Sequence, residues 1–179
     1  MISARVWKFG DFITTDYMLP GPASALSENE QLRWVFQAIR PTWVDEMRPG
    51  DIIVAGKSFG VGSARPAARS LRNIGVTCVL AESITRLFFR MSVNLGLLAL
   101  ECPGITGAFE EGHVAEVSVE EWKVRNTTTG AVLNITPIPE ALLKLMQSGG
   151  IFPLLEREGI VGPRPDPSGA PAISTAAKS

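Results

Sequence analysis

A serine and an arginine stand two positions apart in a glycine-rich stretch that could bind an anion. The stretch reads "GKSFGVGSAR" and ends with Ser63, Ala64 and Arg65. Glycines let the backbone approach a ligand closely, and the forked guanidinium of arginine suits a carboxylate. A serine beside such a cation could abstract a proton next to the carboxylate, because positive charge would stabilise its alkoxide. On spacing alone, a serine-capped helix with a surface arginine is the simpler explanation.

Two nucleotide-binding patterns come close to this stretch, and neither fits it fully. The phosphate-loop pattern G-x-x-x-x-G-K-[ST] finds its end in the letters "GKS", but its first glycine would fall on Asp51. The dinucleotide pattern G-x-G-x-x-G finds Gly60 and Gly62 but lacks its third glycine. Glu82 follows where the ribose-binding acid of that fold would stand. A small dinucleotide-binding domain therefore stays open as an alternative.

The composition limits the classes of function. The chain has 179 residues, 45% hydrophobic and 20% charged, which suits one globular domain. A formal net charge of -1 argues against nucleic acid as a partner, since phosphate contacts need a surplus of Lys and Arg. Two separated cysteines, Cys78 and Cys102, and the single His113 are too few for a zinc site or an iron–sulfur cluster. We expect both thiols to be buried or half-buried.

Hydrophobic patterning places the glycine-rich stretch between a buried strand and a helix. The segment from Ile52 to Glu101 reads strand, loop, helix, strand, helix, strand, which indicates an α/β unit with parallel strands and right-handed crossovers. Pro66 suits the first turn of the first helix, and Gly75 suits its C-terminal cap. Ser83 is in the position to cap the second helix.

The segments on either side have different patterns. "RVWKF" predicts a first strand, and helical spacing predicts a short helix from Glu28 to Ile39. After Pro103 the pattern alternates, which predicts antiparallel strands, and "PEALLKLMQSGG" predicts a last helix closed by its glycines. From Gly162 onward the chain is rich in Pro, Gly, Ser and Ala, so we expect one domain over residues 1–161 and a disordered tail over 162–179. No apolar run approaches the roughly 20 residues of a membrane span, and the start lacks a signal-peptide core. We therefore expect a cytoplasmic protein.

Three motifs carry a resemblance to a known family. "GDFITTDYMLP", "DIIVAGKSFGVGSAR" and "VLAESITRLFFRMSVNLGLLAL" follow one another in the order and spacing seen in small subunits of 3-isopropylmalate dehydratase, and the resemblance covers roughly Val6 to Leu155. These subunits form the swivelling domain of the aconitase family. The resemblance implies an α/β fold, namely a three-layer β/β/α swivelling domain of the aconitase and isopropylmalate dehydratase small-subunit type.

The same resemblance implies a hydro-lyase of leucine biosynthesis that dehydrates and rehydrates a hydroxy-dicarboxylate. A separate large subunit would carry the 4Fe–4S cluster, and the cluster would act as a Lewis acid. The family's base would correspond to Ser63 and its carboxylate-binding arginine to Arg65. Gly62, Ala64 and Asp16, the last from the T-T-D motif, would lie at the substrate.

The chain also departs from the family pattern G-K-N-F-G-C-G-S-S-R-E-H-A. Ser58 replaces the asparagine, Val61 the cysteine, Ala64 the second serine, and Pro66 with Ala67 the Glu-His pair. The loop after Asp16, which helps to select the substrate in this family, lacks the usual Tyr-Leu pattern. Two alternatives follow: a divergent paralogue that acts on another hydroxy-diacid, and a non-catalytic binding module of the same fold.

Overall fold

The computed structural model of the chain describes residues 1–162, and all but the first residue of the predicted tail lies outside this range. Seven strands form one mixed sheet in the order β4-β3-β2-β1-β5-β6-β7. The strands are β1 (Ile2–Lys8), β2 (Ile52–Ala55), β3 (Cys78–Ala81), β4 (Leu98–Glu101), β5 (Val114–Ser118), β6 (Lys123–Asn126) and β7 (Val132–Asn134). β1 is parallel to β2 and antiparallel to β5, so it joins a parallel half of the sheet to an antiparallel half.

Helices and 3-10 turns fill the connections. The helices of the described part are α1 (Thr15–Met18), α2 (Glu28–Gln31), α3 (Trp43–Glu46), α4 (Ala67–Ile74), α5 (Arg86–Leu95), α6 (Ile105–Ala108), α7 (Glu140–Gln147) and α8 (Ile151–Arg157). Two 3-10 turns cover Pro22–Ala25 and Leu32–Trp34.

Burial explains the continuous apolar runs and the alternating pattern that the sequence shows. β2 and β3 are buried at every position, which is typical of parallel strands covered on both faces. In β5 buried residues alternate with more exposed ones, as in a strand covered on one face. The predicted parallel unit and the antiparallel segment after it are both confirmed.

Two hydrophobic clusters lie on opposite faces of the parallel strands. One face, which includes Ile53 and Val79, packs with Leu71 of α4 and Phe88 of α5. The other face, which includes Ile52 and Leu80, packs with residues of β5 and β6. The layers are therefore sheet, sheet and helices, and the predicted three-layer β/β/α fold is confirmed.

The sheet curls until its outer strands meet. The Thr136 N–H, just after β7, donates to the Glu101 carbonyl of β4 over 2.8 Å. The Cys102 thiol donates to the Asn134 carbonyl over 3.4 Å. Cys78 and Cys102 are both buried, as predicted. Within residues 1–162 no helix is long and apolar enough to cross a membrane.

Local predictions for the two helices of the parallel unit have different outcomes. α4 begins after Pro66 and ends at Gly75, whose φ of 106° is left-handed, as predicted. The cap of α5 is Thr85, so the prediction of Ser83 is wrong; the Ser83 hydroxyl instead accepts the Ser58 N–H over 2.9 Å.

Two further differences concern the segments outside the parallel unit. The helix predicted from Glu28 to Ile39 forms only in its first part: α2 ends at Gln31, a 3-10 turn covers Leu32–Trp34, and Phe36 then adopts a left-handed φ of 56°. Its ring is then fully buried, with its centre 4.4 Å from that of Phe9 and 5.0 Å from that of Trp43. α7 is not the last helix, because α8 begins directly after Gly150.

Candidate active site

The loop over residues 56–66 leaves the carboxyl end of β2, which is an inner strand of the sheet. In open α/β sheets, ligands bind at the carboxyl ends of the strands. An isolated bridge joins Val61 to Thr14 on the segment after β1, and another joins Phe59 to Ile84 on the segment after β3. The loop is thus held between the segments that follow β1 and β3, the two strands on either side of β2.

The glycines of the loop are required by close approach to protein atoms. Gly60 has a φ of 80°, and a Cβ there would overlap the Phe88 side chain. Gly62 has a φ of 125°, and a Cβ there would lie 2.8 Å from the hydroxyl oxygen of Thr15. Both positions combine a left-handed backbone with a lack of space, so a side chain would disturb the loop at either one.

Ser63 is exposed on this loop. Its carbonyl accepts the Thr15 hydroxyl over 3.0 Å and the Arg65 N–H over 2.8 Å. The Ser63 hydroxyl makes no hydrogen bond within the described part of the chain, and the cap of α4 is Pro66. The explanation of Ser63 as a helix cap is therefore wrong, and its hydroxyl is available to a ligand.

Arg65 is held beside Ser63 by residues that follow β1. Its NH2 group lies 2.7 Å from an Asp16 carboxylate oxygen, and its NH1 group donates to the Leu19 carbonyl over 3.4 Å. The side chain of Arg65 is 22% exposed and that of Asp16 is 53% exposed. Arg65 is thus a partly buried, fixed cation at the edge of the site.

The structure brings the predicted site residues together on one face. A Cβ on Gly62 would lie 3.8 Å from the second Asp16 carboxylate oxygen, and Ala64 is exposed between Ser63 and Arg65. Sequence reasoning missed Thr15 and Gly21. Thr15 is fully buried and braces the loop, and its place in the T-T-D motif was the available signal. Gly21 packs against the Arg65 guanidinium, a non-local contact that leaves no local pattern.

Glu82, the acid that a dinucleotide site would need, has a structural role. Its carboxylate accepts the Gly104 N–H over 2.7 Å, the Thr106 N–H over 2.9 Å and the Thr106 hydroxyl. Burial would raise the pKa of Glu82, but these hydrogen bonds outweigh it and lower the pKa. The carboxylate is committed to the first turn of α6, and the dinucleotide hypothesis is wrong.

The two cysteines are poor candidates for metal ligands. Burial, with a smaller contribution from the charge of Glu82, raises the pKa of Cys102 to about 12, and burial also raises the pKa of Cys78. A thiol must lose its proton to bind a metal. Across residues 1–162, no three His, Cys, Asp or Glu side chains are grouped so that they could hold a metal ion.

The fold and this site define an α/β domain of the aconitase type. The family described as the Aconitase C-terminal domain matches residues 29–104, which include Ser63 and Arg65. A 3-isopropylmalate dehydratase small subunit of Methanopyrus kandleri is 40% identical over 161 residues, which cover 89% of this chain and 95% of that protein. The isopropylmalate/citramalate isomerase small subunit of Methanocaldococcus jannaschii is 39% identical over 88% of this chain and 95% of its own length.

A solved structure agrees with these relatives. The crystal structure of 3-isopropylmalate dehydratase from Methanocaldococcus jannaschii superposes with a TM-score of 0.83 at 25% identity, and it covers 89% of this chain and 95% of that one. The chain belongs to the family of 3-isopropylmalate dehydratase small subunits. It is therefore one subunit of a hydro-lyase, and the names of its relatives imply a large-subunit partner.

Proposed function

We propose that this chain supplies the general base and the carboxylate clamp of a two-subunit hydro-lyase that acts on 3-isopropylmalate or a related hydroxy-diacid. The observation that carries the proposal is the unbonded, exposed hydroxyl of Ser63 on the loop that also carries Arg65, whose guanidinium is held by Asp16. Arg65 would bind a substrate carboxylate, and the Ser63 oxygen would remove the proton on the adjacent carbon. Gly62 and Ala64, which are both exposed on the loop, would lie beside the substrate.

The partner in this proposal is a large subunit that bears a 4Fe–4S cluster. The buried cysteines of the described chain do not fit such a cluster, which supports the proposal that the partner carries it. When bound there, it would supply the Lewis acid that weakens the bond to the leaving hydroxyl. We place the complex in the cytoplasm, where reduced thiols and a biosynthetic role are compatible.

Exposed apolar side chains near the loop support a partner that covers the site. Phe12 is 61% exposed, and its N–H donates to the Lys57 carbonyl at the start of the loop. Val61 in the loop and Leu87 in the first turn of α5 are also exposed. A rim of this kind is typical of a surface that is buried in a complex.

The test is reconstitution of the complex. The chain is co-expressed with a large subunit of the same enzyme family, the cluster is rebuilt anaerobically, and loss of water from a panel of hydroxy-diacids is measured. We expect activity only in the mixture. Ser63→Ala should lower kcat by roughly a hundredfold or more, because a general base is lost. Ser3→Ala, which removes an exposed hydroxyl from β1, is the control and should leave kcat unchanged. An unchanged rate in Ser63→Ala would show that another group is the base.

A second candidate is a related enzyme with another diacid as its substrate. The loop after Asp16 lacks the family's usual letters, and the Methanocaldococcus jannaschii relative is named for both isopropylmalate and citramalate. The panel therefore includes both acids, and the ratio of their kcat/KM values decides between them. A complex that assembles but converts no diacid would favour the non-catalytic binding module.

A further inference from the structure

The Arg65 guanidinium is confined by a short segment of chain that follows β1. Asp16 pairs with its NH2 group over 2.7 Å, and the Leu19 carbonyl accepts from its NH1 group over 3.4 Å. Gly21 lies against the same guanidinium, because a Cβ there would be 2.9 Å from the NH1 nitrogen and 3.5 Å from the NH2 nitrogen. Two sides are thus held by polar contacts and a third by van der Waals contact.

Space and backbone conformation both favour the glycine at position 21. Its φ of −49° and ψ of −52° are right-handed values, which a residue with a side chain avoids when a proline follows it, as Pro22 does here. The neighbouring Pro20 and Pro22 restrict the local backbone, since proline fixes its own φ and limits the residue before it. A side chain at position 21 would therefore meet the guanidinium and would also strain the backbone before Pro22.

The same segment also fixes the loop that carries Ser63. Thr14 caps α1, and the next residue, Thr15, donates from its backbone to Val61 and from its hydroxyl to the Ser63 carbonyl. Asp16 follows in the first turn of α1, and Leu19 follows at its end. One rigid turn thus sets the position of Arg65 relative to Ser63.

We infer that Asp16 and Gly21 are positioning residues that orient the Arg65 guanidinium toward the carboxylate of the substrate. The Nε–H of Arg65 makes no hydrogen bond to any residue of 1–162, so the guanidinium keeps donors for a ligand while Asp16 and Leu19 hold it. This inference rests on the proposed function, because it assigns to Asp16 a role through Arg65 within the same site. It differs from the role of a placeholder, in which Asp16 would compete with the substrate for Arg65.

Steady-state kinetics of the reconstituted complex separate these roles. Gly21→Ala should raise KM roughly tenfold to a hundredfold with a smaller change in kcat, because a displaced clamp weakens binding before it affects the base. Gly107→Ala is the matched control, since a Cβ there meets nothing within 4 Å, and it should change neither constant. Asp16→Asn should also raise KM, and Asp16→Glu should restore part of the loss. A KM that stays the same in Gly21→Ala, or falls in Asp16→Asn, would overturn the inference.

A measurement on the isolated full chain tests the clamp without catalysis. In chain labelled with ¹⁵N-arginine, a held guanidinium gives separate, slowly exchanging N–H signals, and the Arg65 set is identified by its loss in Arg65→Lys. These signals should merge or shift in Asp16→Asn and Gly21→Ala but not in Gly107→Ala. Identical spectra in all variants would overturn the inference.

The two experiments distinguish the possible failures. If the complex is active and its KM is unchanged by substitutions at Asp16 and Gly21, the positioning role is overturned and the proposed function stays intact. A correctly assembled complex that converts no diacid, in a chain whose Arg65 signals do respond, overturns the proposed function and reduces the clamp to a structural ion pair.

Discussion

Asp51 is the buried residue that fixes the turn leading into β2, the strand that carries the active-site loop. Its carboxylate accepts Arg5 over 2.6 Å, the Trp7 indole N–H over 2.8 Å and the Arg48 N–H over 2.9 Å. Burial would raise the pKa of Asp51, but these donors outweigh it and hold the pKa below its usual value. A carboxyl with a lowered pKa stabilises the fold above its unfolded pKa and loses this contribution as the pH falls through its folded pKa.

Asp51→Asn should therefore destabilise the protein in a pH-dependent way. At neutral pH we expect the free energy of unfolding to fall by about 1–3 kcal/mol. The neutral amide of the variant accepts hydrogen bonds from the same donors more weakly than the carboxylate does. Below about pH 4 the difference in Tm between the variant and the wild type should shrink, because the wild-type carboxyl also takes up a proton. Asp45→Asn, at an exposed position of α3, is the control. A Tm difference that is constant from pH 7 to pH 3 would contradict the assignment.

At the scale of elements, the packing of the active-site loop on α5 depends on one glycine. Gly60 lies directly over Phe88, and its carbonyl accepts the hydroxyl of Thr85, the cap of α5, over 2.8 Å. A side chain at position 60 must therefore move either the loop or the helix. Phe88 is fully buried and packs edge-on against Phe59, with ring centres 5.3 Å apart, so neither movement is free.

Gly60→Ala should cost more stability than the same change at a glycine with equal backbone strain and open space. Gly112 is this control, because its φ of 84° is close to the 80° of Gly60 and a Cβ there meets nothing within 4 Å. In both variants an alanine must adopt a left-handed backbone, which destabilises the fold by about 1–2 kcal/mol. Gly60→Ala should lose roughly 1–3 kcal/mol more from overpacking. Chemical denaturation of both variants measures the difference in the free energy of unfolding. Equal losses would show that the loop can shift away from Phe88 without a cost in stability.

The elements that could be predicted from sequence are those whose signals are local. The strand "IIVA", the helix between Pro66 and Gly75 and the alternating strands after Pro103 all follow from hydrophobic period and capping residues. The helical spacing after Glu28 does not predict the structure beyond the first turn, because tertiary packing overrides it. The backbone at Phe36 turns inward, and its ring joins an aromatic cluster. α8 was missed because Gly149 and Gly150 are typical of a helix end, while Pro153 in the next turn is compatible with a helix start.

For the candidate site, too, the sequence predicts what depends on local signals and does not predict what depends on tertiary contacts. Ser63 and Arg65 could be chosen from sequence because they are two residues apart on one glycine-rich loop. The pairing of Arg65 with Asp16 and its contact with Gly21 depend on the return of the chain after β1, at a separation of more than forty residues. No local pattern encodes that return, although the motif around Asp16 carried the family resemblance.

At the scale of the molecule, the topology itself assembles the site. β1, β2 and β3 are parallel neighbours, so their carboxyl ends lie at one edge of the sheet. The chain after β1 supplies Asp16, the chain after β2 supplies Ser63 and Arg65, and the chain after β3 braces the loop through Thr85. The antiparallel half packs beneath these strands and supports them without contributing to the site.

The catalytic unit should be complete without the C-terminal tail. The segment 162–179 is rich in Pro, Gly, Ser and Ala and offers few large apolar side chains to a core. We therefore expect that removal of 162–179 leaves Tm within about 2 °C and the activity of the complex unchanged. Truncation after Gly150 is the control: it removes α8, in which Ile151, Leu154 and Leu155 are half-buried and which packs beside α5, and it should lower Tm well beyond that range. Differential scanning calorimetry measures both. A comparable fall in Tm for the shorter truncation would mean that the tail packs on the domain and that the boundary at residue 161 is wrong.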